Sequence, residues 1–138
     1  MDRSEIMRRV HSVDTTPEMA VRKIAYGLGY RYRLHKKDLP GKPDLVFIGK
    51  RKVIFVHGCF WHGHDCRRGN RIPKTNRDYW LAKIRGNIDR DKRQLDELRK
   101  QGWSVLVIWE CETRDTYQLT GRISDFLSNG DFHAKRPG

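Results

Sequence analysis

The stretch PGKPDLVFIGKRKVIFVHGCFWHGHDC, Pro40 to Cys66, decides how the rest of the chain is read. Two short apolar runs, DLVFI and KVIFVHG, are separated by GKRK, with Gly49 in the turn. Runs of this length, rich in β-branched and aromatic residues and bounded by turn formers, predict a hairpin. The second run leads into a loop, Val56 to Cys66, that packs three histidines, two cysteines and the adjacent aromatics Phe60 and Trp61 into eleven residues. A strand that stops in such a loop puts its chemistry at the end of a sheet.

Helical signals flank the hairpin. In TTPEMAVRKIAYGLG, Thr15 and Thr16 are cap candidates, Pro17 suits the first turn and Glu18 the positive end of the dipole. Val21, Ile24, Ala25 and Leu28 fall at i, i+3, i+4 and i+7, and Gly29 fits the stop. The basic run YRYRLH reads as strand-like before the turn DLPGKP. Downstream, NRDYWLAKIRGNIDRDKRQLDELRKQG reads as one long helix closed by Gly102, WSVLVIWE as a fully buried strand, and Tyr117 to Leu127 as a short helix. The order α-β-β-β-α-β-α predicts a mixed sheet flanked by helices. The first fourteen residues are basic and polar, with a short helical possibility over Ser4 to Val13. At 138 residues the chain is expected to form one domain, 1–138.

Charge narrows the function. Lys and Arg total 29 against 17 Asp and Glu, a formal charge of +12 that attracts a polyanion, so nucleic acid is the first partner expected. No run of apolar residues is long enough to span a bilayer, and MDRSEIMRRV lacks the apolar stretch of a secretion signal. Three cysteines argue against a disulfide framework and for metal ligation or free thiols in a reducing compartment, so an intracellular, cytoplasmic location is expected.

Polar residues that break the apolar pattern mark the candidate site. On the long helix, Ile84, Ile88, Leu95 and Leu98 form a stripe whose missing member is Asp91. A carboxylate on that face calls for a cationic or donor partner such as histidine or arginine, unless it reaches solvent at the helix edge. Asp44 opens a strand after a turn, where it can face a hydrated divalent cation or simply serve the turn. Cys59, His64, Cys66 and Cys111 make a Cys3His set suited to closed, structural zinc; three unrelated thiols are the plainer alternative. His57 and His62 are then left over, and a histidine beside carboxylate-bound Mg2+ can take a proton from water attacking a phosphodiester. Phe60 and Trp61 cannot both easily enter the core, so at least one is expected to be exposed, where it can stack on or wedge between bases; roofing the core is the competing role. Trp80 is a further candidate on the same terms.

The segments PGKPD, FVHGCFWHGHDC, YWLAKI, NIDRDKR, GW and VIWEC, in this order and spacing, closely resemble the very short patch repair endonucleases, from about Met7 to Cys111. The resemblance implies a restriction-endonuclease-like α/β core of the PD-(D/E)xK type, structural zinc and catalytic Mg2+. It implies hydrolysis of one strand 5′ to the thymine of a T:G mismatch, in repair of deaminated 5-methylcytosine. Carried over by position, Asp44 would bind Mg2+ together with the Val56 main-chain carbonyl. His62 would be the general base, assisted by His57 and Glu18, and Asp91 would support a histidine. Cys59, His64, Cys66 and Cys111 would hold zinc. Phe60, Trp61 and Trp80 would insert beside the mismatch from the major groove and Met7 from the minor groove, with Lys83 and Asn87 reading the mismatched pair. Double-stranded DNA with a T:G mismatch is the implied partner, bound by a monomer; mismatch-repair proteins are candidate further partners. Val56 stands where a well-known member has threonine, which a backbone ligand tolerates, and Gly63 and Asp65 replace further loop histidines. Other outcomes stay open at this point: cleavage of a different mismatch or of matched duplex, a non-cutting zinc-stabilised module that senses distorted DNA, or catalysis by the zinc loop itself.

Overall fold

The computed structural model describes residues 16–134, residue 68 apart. The helix expected over Ser4 to Val13, the rest of the basic segment 1–14, Met7 and the cap candidate Thr15 lie outside the described residues. Within them, helix α1 spans Thr16–Gly27, strands β1, β2 and β3 span Arg33–Leu34, Leu45–Phe47 and Lys52–His57, helix α2 spans Arg77–Lys100, β4 spans Ser104–Trp109, and α3 spans Thr116–Ala134.

The sheet runs in the order β1-β2-β3-β4. The first three strands are antiparallel neighbours, and β4 returns through α2 to lie parallel to β3, with Val53 opposite Val105 and His57 opposite Trp109. The pleat sends alternate residues to opposite faces. Leu45, Phe47 and Ile54 pack with Val21 and Ala25 of α1 and Leu119, Ile123 and Leu127 of α3. Val46, Val53 and Phe55 pack on the other face with Leu98 of α2 and Trp103. A mixed sheet between helices is therefore observed, as its residue pattern predicts.

Both α1 and α2 end in the same hydrogen-bond closure. After α2, Gly102 (φ 92°) lets its own N–H reach the Arg99 carbonyl and the Trp103 N–H reach the Leu98 carbonyl, both at 3.0 Å. After α1, Gly29 (φ 95°) does the same through Tyr26 at 2.9 Å and Ala25 at 3.1 Å. Only glycine adopts this left-handed conformation without steric cost, and the carbonyls left over at the helix end gain donors.

Four expectations need correction. The run Tyr30–His35 pairs only through Arg33 and Leu34, because a two-residue ladder is all that the following turn leaves opposite β2. Strand β4 is not fully buried: it is the last strand of the sheet, paired only with β3, and Ile108 alone is fully enclosed. The last helix begins one residue earlier and runs on to Ala134. On α2, Ile88 is 42% exposed while Asn87 is buried; the inward face is rotated towards Asn87 because this side packs on a polar loop rather than on the sheet.

Candidate active site and metal centre

The N-terminal end of β2 and the C-terminal ends of β3 and β4 lie at one edge of the sheet, since β2 is antiparallel and β4 parallel to β3. Three groups of metal-ligating side chains gather there: Glu18, His35 and Asp44; His57, His62 and Asp91; and Cys59, His64, Cys66 and Cys111. Within each group the ligand atoms lie within 4.8 Å of one another.

Asp44 directly precedes β2, and its Oδ2 accepts the Val56 N–H at 2.6 Å. Glu18, in the first turn of α1, is buried instead of merely facing the helix dipole, and its Oε2 accepts from Arg22 and lies 2.8 Å from His35 Nε2. His35 Nε2 is 3.9 Å from Asp44 Oδ1. Burial pushes the Asp44 carboxyl up; the Val56 N–H opposes the shift, the Glu18 charge adds to it and His35 offsets part of it, leaving Asp44 at about 7. A carboxyl whose ionisation is opposed by burial and by a neighbouring carboxylate forms a site that a divalent cation would relieve. The donor set fits Mg2+, which takes one or two protein carboxylates.

His62 follows the turn after β3, and its Nδ1 lies 2.5 Å from Asp91 Oδ2. The carboxylate on the α2 stripe thus has an imidazole partner. His57, at the end of β3, stacks on His62 with ring centroids 3.8 Å apart and planes 5° apart, and it is 6% exposed. Burial and then the neighbouring His62 push the His57 imidazole down to about 3, against the pull of Asp91, so it is neutral at ordinary pH.

The sulfur cluster is shaped by backbone donors. The Cys111 N–H points at Cys59 Sγ (3.4 Å) and the Gly69 N–H at Cys66 Sγ (3.3 Å). His64 stacks on Trp109 with centroids 4.2 Å apart, and its Nδ1 is 3.6 Å from Cys111 Sγ. Tetrahedral zinc bonds to sulfur and nitrogen imply an S to N edge of about 3.6 Å, which this pair matches, and the Cys3His donor set is of the kind that suits zinc. Burial pushes the Cys59 thiol up to about 12 and raises Cys111. For Cys66 burial also raises, but the Gly69 N–H and hydrogen bonds from His64, Cys59 and Cys111 outweigh it, leaving about 7. Thiols of this kind ionise when a cation joins them.

The comparisons with known proteins agree with this geometry. Residues 1–68 match the family model for the DNA mismatch endonuclease Vsr. The chain is 50% identical over 125 residues to the type II nicking enzyme V.XorIIP of Xanthomonas oryzae pv. oryzae, covering 91% of each chain. It is 42% identical over 118 residues to the DNA mismatch endonuclease Vsr of Escherichia coli, covering 86% of this chain and 75% of that one. The chain belongs to the Vsr family. Among solved structures, the catalytic domain of the homing endonuclease I-Bth0305I is similar, with a TM-score of 0.61 and 26% identity over 85% of this chain and 98% of that one. This Vsr-family chain is a DNA endonuclease with a nuclease fold, and its family implies the use of divalent metal. No helix among its described residues is long and apolar enough to cross a membrane.

The structure also places the residues that the Vsr resemblance assigns to DNA. Phe60, Trp61 and Trp80 form one cluster, with ring centroids 5.2 to 6.1 Å apart. Exposure of at least one loop aromatic is not observed: Trp61 is 8% exposed and Phe60 half-buried, because each ring packs edge-on against the others and against Trp80. Tyr79, which the sequence reading missed, extends the cluster outward at 58% exposure, 5.2 Å from Trp80. Lys83 is exposed, whereas the Asn87 amide donates to the Trp61 carbonyl at 2.8 Å and braces the loop. His35 was missed as well. The β1–β2 register pairs Leu34 with Leu45, so the next pair outward sets His35 opposite Asp44, and the turn DLPGKP carried that signal.

Proposed function

We propose that the chain cuts one strand of duplex DNA 5′ to the thymine of a T:G mismatch, in very short patch repair of deaminated 5-methylcytosine. The observation that supports this reading best is the hydrogen bond between Asp91 and His62, the latter in the loop that follows the strand paired with the one Asp44 precedes. Asp91 accepts from the protonated Nδ1 of His62 and so leaves Nε2 as the unprotonated nitrogen, the form a general base needs. His57 is held neutral, and its stacked ring adds no second positive charge when His62 takes a proton. Asp44, with the Val56 carbonyl, would hold Mg2+, and Glu18 would act alongside. When bound there, Mg2+ would supply Lewis-acid polarisation of the phosphate and a more acidic water. Cys59, His64, Cys66 and Cys111 would hold zinc as a scaffold that fixes the loop carrying His62.

Phe60, Trp61 and Trp80 serve as the wedge from the major groove and Met7 as the minor-groove contact. A T:G wobble step stacks less well than a matched one and opens at lower cost, which turns deformability into selectivity. Because the three rings pack on one another in the absence of DNA, insertion requires the cluster to part on binding. Lys83 stands ready to read the mismatched pair, and Asn87 can join it only by releasing the Trp61 carbonyl. The protein would work as a monomer in the cytoplasm, with mismatch-repair proteins as further partners.

A nicking assay over matched and mismatched duplexes with varied flanks, with Mg2+ and with zinc alone, tests the reading. Cleavage is expected at T:G, with Mg2+ and in one strand. His62→Gln should abolish it while keeping a full equivalent of zinc. Binding without any nick would leave a distorted-DNA sensor, and cutting in zinc alone would move catalysis to the sulfur cluster.

A further inference from the structure

Neither the cutting chemistry nor zinc ligation uses a group of arginines beside the sulfur cluster. Arg67, Arg71 and Arg114 line a cleft of about 180 Å³ together with the ligands Cys66 and Cys111. All three are exposed. Among the described residues the arginine ion pairs are those of Arg22, Arg99 and Arg122, so no carboxylate occupies these guanidiniums.

Both walls of the cleft are anchored. On one side the Gly69 N–H bonds Cys66 Sγ at 3.3 Å, the Asn70 N–H bonds the Cys66 carbonyl at 2.9 Å, and the Asn70 amide bonds Asp65 at 3.0 Å. A Cβ at Gly69 would stand 1.8 Å from the His64 carbonyl oxygen, so only glycine lets this loop lie so close. On the other side a 3-10 turn, Glu110–Arg114, carries Cys111 and Arg114, and Glu112 accepts the Trp109 N–H at 2.8 Å. The guanidinium fork matches phosphate oxygens, and three of them around one opening, on a chain of charge +12, match one phosphate group.

Position along the sheet edge says which phosphate. Asp44 precedes β2, His57 ends β3, and Cys111 lies two residues past β4. Neighbouring strands are about 4.8 Å apart, so the cleft is at least about 10 Å from the Asp44 end of the array. DNA advances about 3.4 Å per nucleotide along its axis, so a phosphate in the cleft is about three or more steps from the one at Asp44.

We propose that Arg67, Arg71 and Arg114 form a clamp for a non-scissile backbone phosphate of the bound duplex, tied through the zinc ligands to the loop that carries His62. The zinc centre then measures the distance between an anchor phosphate and the cut. This rests on the chain's being a DNA endonuclease and not on its choice of mismatch.

The test is equilibrium binding of matched and T:G duplexes in Mg2+-free buffer across a salt series, with zinc content measured on every sample. Arg67→Gln, Arg71→Gln and Arg114→Gln should each weaken binding several-fold and to the same extent on both duplexes. The triple variant should lower the slope of log affinity against log salt by about 0.9, the loss of one phosphate contact. Arg99→Gln removes one positive charge from the last turn of α2, outside the cleft, and should leave the slope unchanged. Three outcomes overturn the clamp: an unchanged slope in the variants; loss confined to the T:G duplex, which would make the arginines mismatch readers; or an unchanged slope with zinc released at lower chelator, which would make them neutralisers of the thiolates. Phosphorus resonance broadening of inorganic phosphate by the parent protein, without a slope change in the triple variant, would assign the cleft to free phosphate and also overturn the proposal.

Discussion

Removing the carboxylate of Asp44 and removing the imidazole of His57 should tilt the pH dependence of stability in opposite directions. Asp44 stands at about 7, raised from 3.8 first by burial and further by Glu18. Its raised folded value means that protonation favours the fold: the contribution is complete below 3.8 and is lost as pH rises through about 7. His57 stands at about 3, lowered from 6.5 first by burial and then by His62. For a depressed folded value the stability is complete above 6.5 and is lost as pH falls towards 3. Both side chains are mostly enclosed, at 20% exposure for Asp44 and 6% for the His57 residue, so solvent screens neither strongly.

Integrating each linkage from about pH 7 down to about pH 5 gives a gain of about 2 kcal/mol through Asp44 and a loss of about 2 kcal/mol through His57. The two nearly cancel in the parent protein. In Asp44→Asn the gain disappears, and stability should fall over this interval by about 2 kcal/mol more than in the parent. In His57→Gln the loss disappears and the difference has the opposite sign. Urea unfolding in Mg2+-free buffer with zinc retained reads both as midpoint shifts of about 1 M between the ends of the interval. Comparing slopes with pH, rather than absolute stabilities, removes whatever each substitution costs in packing. Variants that tilt the same way, or His57→Gln with the parent's slope, would refute the assignment of two oppositely shifted groups at this sheet edge.

Two further outcomes follow from close contacts in the loop. Gly69→Ala places a methyl 1.8 Å from the His64 carbonyl, a backbone atom that cannot swing away, so the protein should release zinc to a chromogenic chelator at lower concentration than the parent. Asn87→Ala leaves the buried Trp61 carbonyl without its amide donor and should cost about 1–3 kcal/mol, measured by the urea midpoint; a cost near zero would mean that water takes over that carbonyl.

The legible parts of this molecule were those written in local periodicity. Asp91 stands out because a stripe of one residue type has a single gap, and a carboxylate on such a face must find a donor, which in the structure is His62. The Cys3His set is legible because cysteines are rare, and in the structure all three gather with His64 in one cluster. Strand order was legible only in part. WSVLVIWE has the composition of an interior strand, and nothing local tells the chain that, among the described residues, no fifth strand covers the far side of β4. The rotation of α2 that buries Asn87 and exposes Ile88 was illegible for the same reason. It depends on the loop 58–66 packing against the helix, where the side chains at Ile84 and Ile88 come within 3 Å of where a Gly63 Cβ would lie.

His35 is the more instructive omission, because its signal was long-range yet computable. It lies in a run with no apolar alternation, so periodicity passes over it. Once the turn DLPGKP is taken as closing an antiparallel pair, however, the register that sets Leu34 opposite Leu45 obliges His35 to face Asp44. Its backbone N–H then bonds the Asp44 carbonyl at 3.2 Å and its ring reaches Glu18. A carboxylate singled out on one strand is therefore a reason to count across the nearest turn to its partner. The same step, applied to His57 and Trp109 on the parallel pair, shows why the ring that supports His64 also touches both other histidines: Trp109 is edge-on to His57 at 5.3 Å and to His62 at 6.4 Å. One indole thus contacts both the His57–His62 pair and the sulfur cluster's His64, so a change in the Cys59–Cys66 loop would be felt at the histidine pair.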